Sequence, residues 1–138
     1  MADRLRLELA TPTRLVAAET VDEIVVPGLS GYFGVLPGHA PLLALVGTGE
    51  VMYRVGRAER YLAVSGGFTE VGAGRVLILA DSAESPEEID VARARAARER
   101  AESRLAGRAA ETVDLPRALT ALGRARARLQ VAARADRA

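Results

Sequence analysis

The 138-residue chain contains no lysine, no cysteine and no tryptophan, and its one histidine is His39. Each absence removes a class of chemistry. Without lysine there is no lysine-type phosphate-binding loop, no Schiff base and no Ser–Lys dyad. Without cysteine there is no disulfide, zinc ribbon, iron–sulfur cluster or thiol nucleophile. A single histidine excludes the two-histidine helical zinc motif, and no other motif in the chain calls for a metal. Aromatics make up 4% of the residues and none follows Phe68. No apolar run approaches a membrane span, and Met1-Ala2-Asp3-Arg4 lacks the apolar stretch of a signal peptide. The expectation is a soluble, intracellular chain that is not itself inserted in a membrane.

What is present is unevenly distributed. Hydrophobic residues reach 49%, enough to bury a core. The net charge of +1 hides a split: residues 1–85 carry 7 Arg against 10 Asp and Glu, whereas residues 86–138 carry 12 Arg against 8. Eleven of the 13 glycines lie in the first part, and 16 alanines lie in the last 53 residues. Two units are expected, 1–85 and 86–138, the second basic.

The first unit reads as strands. Leu5, Leu7 and Leu9 alternate with Arg4, Arg6 and Glu8, the period of a half-buried strand. Short apolar runs follow at 15–18, 21–26, 51–55, 61–64 and 76–80. Turn signals separate them at 11–13, 27–28, 47–49, 65–67 and 72–74. This spacing suggests a sandwich or barrel. The run 76–80 is apolar on both faces, which predicts an opposing sheet on one side and the C-terminal helices on the other. Residues 28–41 are rich in glycine and proline and read as loop, without the dinucleotide-binding spacing. His39 in that loop is a conceivable general base but has no visible partner constellation.

The second unit reads as a helical hairpin. Ser85-Pro86-Glu87-Glu88 predicts a helix start, with Ser85 as cap, Pro86 in the first turn and Glu88 completing a capping box. The helix is expected to run to about Ala106 and stop at Gly107. A second helix is expected to start near Asp114 and to tolerate Pro116 in its first turn. Leu115, Leu122 and Leu129, interleaved with Ala118, Ala125 and Ala132 and flanked by Leu119, form one narrow apolar seam. The facing seam is expected at Ala92, Ala96 and Ala101, with Ile89 and Leu105 near its ends. Such alanine seams bury little area, so the hairpin is expected to be only conditionally stable, with Gly123 as a candidate hinge.

Several stretches resemble one known family. They are Phe33-Gly34-Val35-Leu36-Pro37-Gly38-His39-Ala40-Pro41, Ser65-Gly66-Gly67, Val76-Leu77-Ile78-Leu79-Ala80-Asp81 and Ile89-Asp90-Val91-Ala92-Arg93-Ala94. In this order and spacing the whole chain resembles the epsilon subunits of bacterial F-type ATP synthases. The resemblance implies an α+β fold: an N-terminal flattened all-β sandwich followed by a C-terminal two-helix antiparallel hairpin. It implies a non-catalytic central-stalk subunit bound to the gamma subunit and the c-ring. Its mobile C-terminal helices would restrain ATP hydrolysis and reach the alpha/beta catalytic head when extended. The implied location is peripheral, on the cytoplasmic side of the cell membrane, within an ion-translocating complex. Relatives often place an acidic residue where this chain has Tyr32, on the tip facing the c-ring.

In some of those relatives the folded hairpin binds ATP as a regulatory ligand through an I/L-D-x-x-R-A motif and further arginines. Here the motif stands as Ile89, Asp90, Arg93 and Ala94, and Glu84, Arg100, Arg124 and Arg128 match the remaining contacts. Asp90, Arg93 and Arg100 share one helical face by spacing, and Arg124 and Arg128 are i,i+4. If the seam closes, four guanidiniums can surround one triphosphate. Ile89 and Ala94 would supply apolar contact for a base, and Asp90 and Glu84 could orient an arginine or accept from adenine or ribose. The plainer alternative is a solvated arginine stripe laced with pairs such as Arg95–Glu99 and Arg98–Glu102.

Four other functional readings compete. A nucleic-acid-binding module would use the arginine-rich hairpin, but that hairpin has no aromatic stacking platform and its arginines are interleaved with acids. A coiled-coil adaptor leaves the glycine-rich first unit unexplained. A membrane-surface helix lacks bulky apolar anchors. An enzyme in its own right is disfavoured by the missing lysine and cysteine nucleophiles and the single histidine.

Overall fold

In a computed structural model the described residues are 4–107 and 112–135. The readings that touch residues 1–3, 108–111 and 136–138 lie outside them. Eight strands come first: β1 (Leu5–Ala10), β2 (Leu15–Val21), β3 (Glu23–Gly28), β4 (Gly31–Val35), β5 (Leu42–Leu45), β6 (Thr48–Val55), β7 (Ala58–Gly72) and β8 (Arg75–Glu84). A single 3-10 turn (Pro86–Glu88) leads to helices α1 (Val91–Leu105) and α2 (Leu115–Ala135). The α+β sandwich-plus-hairpin fold is thus the one the sequence implied.

The strands hydrogen-bond in the order β2-β1-β8-β7-β6-β3-β4, with β5 joined to β7. All pairs are antiparallel except β1 with β8. Leu5, Leu7 and Leu9 point inward and are at most 2% exposed, as their alternation requires. Each such buried leucine stabilises the fold by roughly 1.5–3 kcal/mol. They join Val21, Ile24, Val26, Val35, Val51, Val64, Val76 and Ile78 in one core to which no helix residue contributes.

β7 makes the two-layered shape. Its residues 58–65 pair with β6, its residues 68–71 pair with β5, and β8 follows it from residue 63 to 72. The bend falls at Gly66 and Gly67, with φ of 71° and 111°. A side chain at Gly67 would strike the Leu79 backbone. The stretch 65–67, expected as a turn between strands, is therefore an irregularity inside one 15-residue strand. The 47–49 signal is likewise not a separate turn, since Thr48 and Gly49 open β6. At Gly49 the absent side chain leaves room for the Tyr32 ring, whose hydroxyl accepts from the Glu50 amide at 3.1 Å. The expected loop 28–41 contains β4, and the run 21–26 is divided at Asp22. Asp22 accepts from the Gly56 amide (2.7 Å) and from Arg4 (3.1 Å), which ties together the two ends of the β2–β3 and β6–β7 connections.

The helices depart from expectation in three ways. The Ser85–Glu88 capping interaction closes only the 3-10 turn. The chain is extended again at Ile89 (φ −79°, ψ 125°), and Asp90 caps α1 by accepting from the Arg93 amide at 3.0 Å. The α1 seam is Ala94 and Ala101, seven residues apart, so Ala101 is buried as expected whereas Ala92 is exposed. The helices also do not cover β8: α2 lies on β6 and β7, and Leu79 stays 37% exposed.

α2 begins as expected at Asp114, whose carboxylate accepts from the Arg117 amide at 3.1 Å. It then presents two buried stripes rather than one seam. Ala118, Leu122 and Ala125 continue the expected seam towards α1, whereas Leu115 is 56% exposed and outside it. Ala127 and Val131 form the second stripe, and Val131 packs with Ala63 of β7 and Ile89.

Candidate functional site

A cleft of about 340 Å³ opens where the end of β8, the 3-10 turn, α1 and α2 meet, within the range of small-molecule sites. It is lined by Glu84, Glu88, Asp90, Arg93, Ala94, Ala97, Arg100 and Arg128. Six of the eight residues singled out in sequence therefore share one cavity, although they come from β8, the link before α1, α1 and α2.

Local structure explains the convergence. Asp90 ends the extended link and starts α1, so Arg93, Ala97 and Arg100 follow at helical spacing on one face. Arg128 arrives from α2 because Ala125 on one side and Ala127 on the other dock that helix between α1 and the sheet. Glu84, at the last position of β8, meets it: Arg128 Nε donates to Glu84 Oε1 at 2.5 Å. Three carboxylates thus face three guanidiniums. Glu84 is engaged by Arg128, Glu88 by Arg14, and Asp90 caps the helix. Arg93 and Arg100 have no carboxylate within 4 Å among the described residues and remain the cleft's available cations.

Two of the eight residues lie elsewhere. Ile89 is 7% exposed and packs under α2 against Val131 and Ala63, so it supports the cleft floor instead of offering a face to a base. Arg124 lines a much smaller neighbouring crevice with Ser65, Ser82, Glu84 and Ala127. Arg128 and Glu84 border both spaces, so their ion pair stands between Arg124 and the cleft.

Three contributors escaped the sequence reading. Ala97 was discoverable, being four residues after Arg93 and three before Arg100. Glu88 was seen only as a capping residue. It accepts from the Ser85 amide and hydroxyl (3.0 Å each) while lining the cleft. Arg14, in the β1–β2 turn, donates to Glu88 at 2.9 Å and to the Ala83 carbonyl at 3.1 Å, a tertiary contact without any local signature. The Arg14 hydrogen bond, reinforced by Ser85, pushes the Glu88 carboxyl down to about 2. Of the expected surface pairs, Arg98–Glu102 is formed at 3.5 Å. His39 is exposed, with Nδ1 2.6 Å from the Ala40 carbonyl and no side-chain partner among the described residues.

Among the described residues no group of three or more His, Cys, Asp or Glu could hold a metal ion, and no helix is long and apolar enough to cross a membrane.

Comparison with known proteins covers both halves of the chain. Residues 4–86 match the beta-sandwich domain of the ATP synthase delta/epsilon chain, and residues 87–133 match its long alpha-helix domain. The chain is 52% identical to the ATP synthase epsilon chain of Solibacter usitatus and 50% identical to that of Syntrophobacter fumaroxidans. Each match spans 132 residues, 96% of this chain and 98% of the relative. Among solved structures, a chain of the Euglena gracilis mitochondrial ATP synthase (OSCP/F1/c-ring) superposes with a TM-score of 0.80 at 25% identity, covering 96% of this chain and 83% of that one. A chain of the Tetrahymena thermophila mitochondrial ATP synthase central stalk and c-ring shares the fold, with a TM-score of 0.58 at 14% identity over 97% of each. With both domains matched in order and half of all positions shared along nearly its full length, the chain belongs to the epsilon-chain family of ATP synthase, the non-catalytic subunits of the central stalk.

Proposed function

We propose that this subunit couples the rotor to the ring and restrains ATP hydrolysis through its C-terminal helices, and that ATP holds the hairpin folded by binding the cleft. The observation that carries the nucleotide reading is the gathering of Glu84, Asp90, Arg93, Ala94, Arg100 and Arg128 around one cavity. Because its walls belong to both helices and to the end of β8, that cavity exists only while α2 lies on the sheet. Arg93 and Arg100 offer forked donors to phosphate oxygens, and Arg128 can exchange Glu84 for a third. A ligand that binds only the closed form shifts the population towards it by its differential affinity. Arg124 lines the adjoining crevice and not the cleft, so the phosphate end is assigned to three guanidiniums rather than four.

Calorimetric titration of ATP into the purified chain tests this. Arg93→Ala and Arg128→Ala should each weaken binding about tenfold, the loss of roughly 1.4 kcal/mol. Arg126→Ala should change it little, because Arg126 is exposed and outside the cleft. No heat with the unaltered chain at millimolar ATP removes the nucleotide reading.

The partners proposed are the gamma subunit and c-ring, with the alpha/beta head reached by extended helices, at the cytoplasmic side of the cell membrane. One outer face of the sandwich suits a permanent partner. Leu45, Phe68 and Leu79 are cross-strand neighbours there, and with Leu43 they are 37–70% exposed. A contiguous apolar strip of this kind marks an interaction surface. We assign it to gamma, since a stalk subunit must hold its rotor partner without release. Phe68→Asp should abolish co-purification with gamma while leaving the sheet-type circular dichroism unchanged; retention of gamma would move the interface elsewhere.

A further inference from the structure

We propose that Glu50 of β6 is the receptor of a second, nucleotide-independent clamp, which holds the last turns of α2 on the sandwich and sets how readily the hairpin opens. The proposal rests on the reading of α2 as a helix that leaves the sheet. Glu50 is an unusual strand residue: its side chain is only 12% exposed, and its carboxylate is satisfied entirely from α2. Arg134 reaches it with Nη2 at 2.7 Å and Nε at 3.4 Å, and Gln130 Nε2 lies at 3.3 Å. The same guanidinium sits over the Tyr61 ring at 4.2 Å from its centre, and the Tyr61 hydroxyl is in turn held by Glu59. Val131, fully buried between these contacts and the cleft, fills the space against Ala63 and Ile89.

The geometry separates this clamp from the nucleotide cleft. Arg134 lies six residues beyond Arg128, about 9 Å further along the helix. The receptors also differ: β6 and β7 for the clamp, against β8, the 3-10 turn and α1 for the cleft. None of Glu50, Tyr61, Gln130 and Arg134 lines the cleft. A charge so little exposed costs free energy when its partner leaves, unless water replaces that partner. Opening therefore exchanges a desolvated, stacked and hydrogen-bonded arginine for two separately hydrated charges. Clamp and ligand stabilise the same closed state, so each strengthens the other without touching it. Weakening the clamp lowers the binding-competent fraction, and the apparent ATP affinity falls by that fraction alone.

The absence of native cysteine permits two unique labels, at Arg57→Cys and Ala133→Cys, in the full chain. The distribution of label-to-label distances is read first without nucleotide. Glu50→Gln and Arg134→Met should each raise the open fraction about three- to tenfold and weaken ATP binding by a comparable factor. Arg93→Ala should weaken ATP binding with no change in the nucleotide-free distribution. Combining Glu50→Arg with Arg134→Glu should restore closure, which a general loss of folding would not do. An unchanged nucleotide-free distribution in Glu50→Gln overturns the clamp, whatever ATP does. Failure of ATP to bind any form removes the nucleotide reading, while a shifted nucleotide-free distribution still upholds the clamp.

Discussion

Glu88 shows how much one side chain can join. Its carboxylate holds the 3-10 turn, receives Arg14 from the β1–β2 turn and lines the cleft. Arg14 is the first cause of its depressed pKa, followed by the Ser85 amide. A carboxyl whose folded pKa is about 2, against an ordinary 4.5, contributes stability that is complete above the unfolded value. That contribution is lost as pH falls from about 4.5 through 2, so the turn should loosen in that window and not at neutral pH. Carboxyl-resolved NMR titration reads it directly, and Arg14→Ala should move Glu88 up towards its ordinary value. The family resemblance brought Glu84, Asp90, Arg93, Ala94, Arg100 and Arg128 together, and residue spacing alone put Asp90, Arg93 and Arg100 on one helical face. Spacing could not place Ile89 or Arg124, because their fates depend on how the chain enters α1 and on which side of Arg128 the sheet lies. Arg14 was invisible for the same reason: its partner is 74 residues away.

At the level of elements, alternation identified β1 correctly because one of its faces meets a core and the other does not. Glycine pairs misled where they bend a strand instead of ending it, as in β7. The seam on α2 was legible in part. A heptad of leucines and alanines advertises one partner, but the second stripe, Ala127 and Val131, is short and interrupted by Arg126 and Arg128. That second stripe is what ties α2 to the sandwich, whereas the largest share of α1 packing is against α2. Deleting residues 108–138 should therefore leave assembly of the ATP synthase intact and raise its ATP hydrolysis at low ATP. Hydrolysis assays on the assembled complex check this, and an unchanged rate would place inhibition outside α2.

On the scale of the whole molecule, the main core draws only on residues 5–83, and no helix residue enters it. The helices attach through a much smaller cluster of Ala63, Ile89 and Val131. Residues 1–85 alone should therefore show sheet-type circular dichroism and a cooperative melt, and an unfolded fragment would mean that the hairpin completes the core.

β7 has a mechanical meaning that packing does not express. A sandwich whose layers meet only through side chains can slide under a sideways force, since apolar contacts have no preferred direction. Here one strand passes from pairing with β6 to pairing with β5, and β8 runs beside it through the bend. Torque applied to one layer is thus resisted by covalent backbone and by the β7–β8 ladder, which resumes on either side of Gly66. If the subunit turns with the stalk as proposed, stiffness against shear is as much a requirement as stability against unfolding, and the passage of β7 between layers supplies it.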